Sequence, residues 1–139
     1  MRGVLRGLVS TTSRMTVVDL EAGLEHLSRG TARHVDTLLL IAEPYFKSLE
    51  AAQRSFALAK DLGISRIQMV ANKIRSPRDE DTVREFAGRH AVTVAGVIPF
   101  DPAVVEADER GTAVMDQRPE ATSVAAIRRL ADQVLTTTA

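Results

Sequence analysis

Cysteine is absent from the 139 residues. That excludes disulfides, thiolate metal centres and cysteine nucleophiles. Tryptophan is absent too, and aromatic residues make up only 4% of the chain. Little is left for a stacking surface that grips single-stranded nucleic acid. No charge of one sign prevails, because 18 basic side chains stand against 18 acidic ones. Zero net charge argues against a polyanion such as nucleic acid as partner. No apolar run approaches the roughly 20 residues that span a bilayer. Arg2 and Arg6 sit among apolar residues at the start, but no sustained apolar stretch follows. No secretory signal is therefore expected, and the cytoplasm is the expected location. His26, His34 and His90 are scattered, without the i, i+4 spacing of a zinc pair.

What the chain does have is an ordinary globular composition, 45% hydrophobic, of a length that suits one domain over residues 1–139. Val4, Leu5, Leu8 and Val9 repeat at helical spacing and predict a short opening helix. Four short aliphatic runs follow, at 16–20, 35–42, 66–71 and 92–98. Such runs suit strands covered on both faces. Between them lie amphipathic stretches. Phe46, Leu49, Ala52, Phe56 and Ala59 line one stripe of a helix over 46–62, with Gly63 just past its end. Ser76-Pro77-Arg78-Asp79 reads as a helix start, with Ser76 as N-cap. Asp101-Pro102 opens a short helix that ends near Gly111. A last helix begins near Glu120, with Arg128 and Arg129 on its solvated face, and residues 136–139 are expected to fray. Strands alternating with helices predict an α/β fold: a mostly parallel sheet of about four strands with flanking helices.

In a parallel α/β sheet, ligands bind beyond the carboxyl ends of the strands. Asp19 ends the first predicted strand, and Gly23 follows in a tight turn. A carboxylate there can orient a hydrated cation, and a glycine lets backbone N–H approach a phosphate oxygen. An aspartate that simply caps the next turn accounts equally for the spacing. Asn72-Lys73 ends the third strand, and Pro99-Phe100-Asp101 follows the fourth. Taken alone, Asn72 is a turn residue, while Pro99 and Asp101 start a helix against which Phe100 packs.

The string Asp19-Leu20-Glu21-Ala22-Gly23-Leu24-Glu25-His26 resembles the Walker B and switch II region of the MinD/ParA-type P-loop ATPases. It is most similar to the subgroup that serves nickel insertion into carbon monoxide dehydrogenase. Arg29-Gly30-Thr31-Ala32-Arg33, Glu43-Pro44, Ser48-Leu49-Glu50, Asn72-Lys73 and Ile98-Pro99-Phe100-Asp101 extend the resemblance in order over nearly the whole chain. No one of these motifs is specific alone. The resemblance implies a partial P-loop NTPase, Rossmann-like fold. It implies that Asp19 contacts magnesium through water and that Gly23 belongs to the γ-phosphate sensor. On the adenine side it implies Asn72, Lys73, Pro99, Phe100 and Asp101. ATP and magnesium are the implied ligands of a completed site, with none expected for this chain alone. A homodimer, the missing N-terminal half and a metalloenzyme client are the implied partners.

The sequence departs from the family in two ways. No G-x-x-x-x-G-K-[ST] occurs in the 139 residues, so nothing supplies the phosphate cradle and its lysine. The subgroup's Cys-x-Cys pair is missing as well, so its metal-binding activity does not carry over. The expectation is a C-terminal portion, arising from a truncation, a mis-called start or a split protein, and inactive alone as an ATP hydrolase. In the family sheet the P-loop strand lies between the 16–20 and 35–42 strands, so both would show open edges. A receiver-like domain is a second reading, with Asp19 and Lys73 as its aspartate and lysine. A non-catalytic module that binds a partner through its exposed edges is a third.

Overall fold

The computed structural model describes residues 16–20 and 34–138. Three strands, β1 (Leu38–Ala42), β2 (Ile67–Ile74) and β3 (Thr93–Pro99), form one parallel sheet in the order β1-β2-β3. Helix α1 (Phe46–Asp61) connects β1 to β2, and α2 (Pro77–Arg89) connects β2 to β3. After β3 come α3 (Pro102–Glu109), the one-turn α4 (Val114–Gln117) and the long α5 (Thr122–Thr138). The α/β class, the parallel sheet and the flanking helices are as the sequence predicts.

Alternation along the strands divides the core between two faces. Ala42, Met69, Ala71 and Ile74 meet Leu49 and Ala52 of α1 and Val83, Phe86 and Ala87 of α2. Leu38 and Leu40 join Ala59 and Ile64 in a neighbouring cluster. Each Leu, Ile, Val, Phe or Met among them stabilises the fold by about 1.5–3 kcal/mol when fully removed from water, and each alanine by less. On the opposite face α5 packs along β3 and buries Val124, Ala126 and Leu130. Gly96 makes this close approach feasible, because a Cβ there would stand 3.2 Å from Leu130 Cδ1.

Local chemistry sets the helix ends. Ser76 Oγ accepts the N–H of Asp79, and Pro77 occupies the first turn, as its fixed φ favours. At the C-terminal end of α1, Gly63 (φ 81°) donates to Lys60 O while Ile64 donates to Ala59 O. This is the paired arrangement that a left-handed C′ residue allows. α2 ends in the same way through Ala91 and Val92, but its left-handed position holds an alanine at φ 54°.

The structure corrects several expectations. Residues 16–20 form no strand, so the sheet has three strands among the described residues where about four were expected. Val17 is 86% exposed, and only Leu20 reaches the Leu38–Leu40 cluster. A strand is held by ladder bonds to a neighbour, and no described strand lies alongside this segment. β1 starts at Leu38 instead of Val35, and β2 continues past Ala71 to Ile74. α5 starts at Thr122 and continues to Thr138, where fraying was expected. The helix predicted around Val4–Val9 lies outside the described residues.

Candidate functional site

The carboxyl ends of the three strands converge, and each carries a predicted motif. β1 runs into Glu43-Pro44. The Glu43 backbone N–H donates to Ser48 Oγ at 2.9 Å, which ties the strand end to the first turn of α1. The Glu43 carboxylate receives the Lys73 ammonium at 2.9 Å, an ion pair that joins the ends of β1 and β2.

Asn72 and Lys73 lie inside β2, not beyond it. They form a bulge, since β3 sets only Ile98 against them between the Ala71–Val97 and Ile74–Pro99 pairs. A bulge re-aims side chains near a strand end. Here it puts Lys73 at φ 54°, a left-handed conformation uncommon for a lysine and of the kind that clusters at ligand sites. Ala95 makes an opposite slip in β3, so the register lost there is regained at Asn72-Lys73. The side-chain amide of half-buried Asn72 has no hydrogen-bond partner among the described residues.

The loop after β3 is anchored on β2, with Phe100 N–H donating to Ile74 O at 2.9 Å. The Phe100 ring, 37% exposed, lies under the Arg75 guanidinium at 4.4 Å from its centroid. Arg75 N–H in turn donates to Asp79 Oδ2 at 2.9 Å. Asp101 caps the helix start that the sequence predicts and reaches further. Its Oδ1 accepts Ala103 N–H, while Oδ2 accepts Ser123 N–H, Ser123 Oγ–H and Thr122 Oγ–H, all at 3.0 Å. One carboxylate thus caps α3 and α5 together. The Ser123 backbone bond first, and then the Ala103, Ser123 hydroxyl and Thr122 bonds, hold its pKa down at about 2 against the opposing effect of burial.

The structure therefore gathers Asn72, Lys73, Pro99, Phe100 and Asp101 at one end of the sheet. Asp19 is exposed in the irregular segment 16–20, and Gly23 lies outside the described residues. Lys73 bonds Glu43, not Asp19. Sequence reasoning missed the Glu43–Lys73 pair, the Arg75–Phe100 stack and the Ser123 contact to Asp101. Only long-range proximity creates these, apart from the Arg75 charge that follows the Asn-Lys motif. Among the described residues no group of three or more His, Cys, Asp or Glu side chains could hold a metal ion. No helix among them is long and apolar enough to cross a membrane.

A parallel sheet with this site at its carboxyl edge defines part of a MinD/ParA-type P-loop ATPase fold. The MinD cell division protein of Aquifex aeolicus matches with a TM-score of 0.67 at 19% identity, over 82% of this chain and 50% of that one. The ParA family ATPase of Chlorobium tepidum matches with a TM-score of 0.62 at 21% identity, over 81% and 46%. Within that class the chain is a relative of the carbon monoxide dehydrogenase accessory protein CooC of Rhodospirillum rubrum. The two are 38% identical over 119 residues, 86% of this chain and 44% of the relative. An uncharacterized ATP-binding protein of Methanocaldococcus jannaschii is 36% identical over 114 residues, 80% of this chain and 43% of that protein. The chain thus spans less than half the length of these curated relatives. No protein-family profile matches it.

Proposed function

We propose that this chain supplies the adenine side of an ATP site in a CooC-like, MinD/ParA-type fold, and that it is inactive as an ATP hydrolase on its own. The observation that carries this reading is the Asn72-Lys73 bulge. It sets an amide with no partner among the described residues at the carboxyl end of the central strand, beside a loop tied to that strand by the Phe100–Ile74 bond. An amide offers a donor and an acceptor at once, which suits the edge of an adenine. Phe100 borders that position, Lys73 is held off by Glu43, and Asp101 fixes the loop by capping two helices.

ATP with magnesium, bound in a completed site, would supply the phosphoryl chemistry. Asp19 and Gly23 are the residues of this chain assigned to the magnesium and to the γ-phosphate. Phosphoryl transfer depends on positioned charge around the phosphates, and the 139 residues hold no Gly-rich lysine loop to provide it. Support for a nucleotide ligand comes from the relatives described as ATP-binding and from a MinD of Pyrococcus horikoshii solved with Mg-ADP. A role in maturing a metalloenzyme client follows the CooC relative, although this chain brings no thiolate of its own.

The test joins the chain to the part of the R. rubrum relative that it does not span. Calorimetric titration with ATP should show Asn72→Ala weakening binding by about 1–3 kcal/mol, the usual loss when a buried polar group goes unpaired. Equal affinity of the variant and the parent would remove Asn72 from the site. Phosphate release by the isolated chain should stay at background. A turnover abolished by Asp19→Ala would overturn the claim of inactivity.

A further inference from the structure

The bulge at Asn72-Lys73 does more than turn out an amide. Met69, Ala71 and Ile74 all belong to the core that α1 and α2 cover. Strict alternation would send Ile74 to the face opposite Ala71, because the two stand three residues apart. The extra residue at Asn72-Lys73 brings Ile74 back. Arg75 comes next and falls on the side that alternation gives to Val70 and Asn72. Its guanidinium carbon lies 4.4 Å from the centre of the Phe100 ring, within cation–π range. Both partners are pinned through their backbones. Arg75 N–H donates to Asp79 Oδ2 while Asp79 N–H donates to Ser76 Oγ, and Phe100 N–H donates to Ile74 O. Lys73, by contrast, is committed to the Glu43 carboxylate.

We propose that the Arg75 guanidinium, backed by Phe100, is the platform on which a purine base stacks while Asn72 meets the edge of the same base. The platform rests on the nucleotide site proposed for this chain and adds the group that holds the face of the base. A guanidinium is planar and has two faces. Phe100 covers one of them, and Arg75 is itself exposed, so the other is open to a ligand among the described residues. Bases stack on guanidinium planes as they do on aromatic rings. The ring beneath restrains the long arginine side chain, so less of its freedom is lost when a base lands on it. A purine, with two fused rings, overlaps such a plane more fully than a pyrimidine does. The bulge thus has a physical purpose: it sets an edge-reading amide and a face-stacking cation on one side of the same strand end.

Adenosine titrated into the full chain tests the platform, because Arg75, Phe100 and Asn72 all lie within it and adenosine carries no phosphate. Saturation-transfer nuclear magnetic resonance should detect binding, with a Kd of about 1 mM for so small a contact. The Arg75 Nε–H signal should move upfield under the ring current of the base. Well below saturation, Arg75→Ala should lower the bound fraction at least about fivefold, the loss typical of one stacked base. Arg75→Lys, which keeps the charge but not the plane, should lose as much. Phe100→Leu, which removes the ring behind the plane, should lose part of it and serves if the Arg75 variants fail to fold. Parent-like binding by a folded Arg75→Ala or Arg75→Lys overturns the platform, as does no binding by the parent. A loss for AMP without a loss for adenosine makes Arg75 a phosphate contact and overturns it too. Weakening by Asn72→Ala alone removes the platform and leaves the adenine site standing. Binding that needs Arg75 but not Asn72 keeps the platform and removes the amide from the base edge.

Discussion

Asp101 Oδ2 accepts both the backbone N–H and the hydroxyl of Ser123, each at 3.0 Å across 22 residues of sequence. The loop that follows β3 is thereby fastened to the first turn of α5, the helix that covers the other side of that strand. Ser123 is 2% exposed, so its hydroxyl depends on this one carboxylate. Asp101→Ala should remove two helix caps and strand a buried hydroxyl. The expected loss is about 1–3 kcal/mol in urea unfolding, the range for lost caps and unpaired buried groups.

The same carboxylate gives a pH signature. Its pKa is about 2 in the folded chain against an ordinary 3.8. A depressed folded value means that the stabilisation is complete above the unfolded pKa and lost as pH falls through the folded one. Unfolding free energy should therefore drop between about pH 4 and pH 2 by more in the parent than in Asp101→Asn, which has no proton to take up. Parallel curves for the two proteins would assign the acid sensitivity elsewhere.

Ala91 ends α2 at φ 54°, where a Cβ is strained. An alanine in the left-handed region costs roughly 1–2 kcal/mol that glycine avoids, part of it offset by the greater freedom of glycine when unfolded. Ala91→Gly should raise stability by about 0.5–1 kcal/mol, seen as a higher urea midpoint at unchanged slope.

Gly96 faces Leu130 at a distance that leaves no room for a branched side chain. Gly96→Val should push α5 off β3 and cost about 1–3 kcal/mol, the range for overpacked cores. Adding Leu130→Ala should recover part of that loss, so the two changes are non-additive. Strict additivity in thermal unfolding would show that the helix does not rest on this glycine.

The fold was legible wherever a local signal sufficed. The Ser76-Pro77 start of α2, the Gly63 end of α1 and the three aliphatic runs of the sheet were all readable. Residues 16–20 misled, because Thr16, Val17 and Val18 have strand composition but no described neighbour to pair with. Composition reports the tendency to extend, whereas pairing decides whether a strand exists. The motifs at 72–73 and 99–101 lie together as their order suggested. The Asn72-Lys73 bulge was invisible in the sequence, since it is set by the register between β2 and β3. For the same reason the part Asp101 plays was half legible: the cap on Ala103 is local, and the contacts to Thr122 and Ser123 are not.

The central claim is that the Asn72 bulge and the Phe100 loop face the base of a nucleotide. Nuclear magnetic resonance tests it most directly, with this chain isotopically labelled and joined to the part of the R. rubrum relative that it does not span. On addition of Mg-ADP, the Asn72 side-chain amide and the Phe100 signals should shift at the same nucleotide concentration that saturates binding. Saturated binding with both groups unmoved would contradict the account.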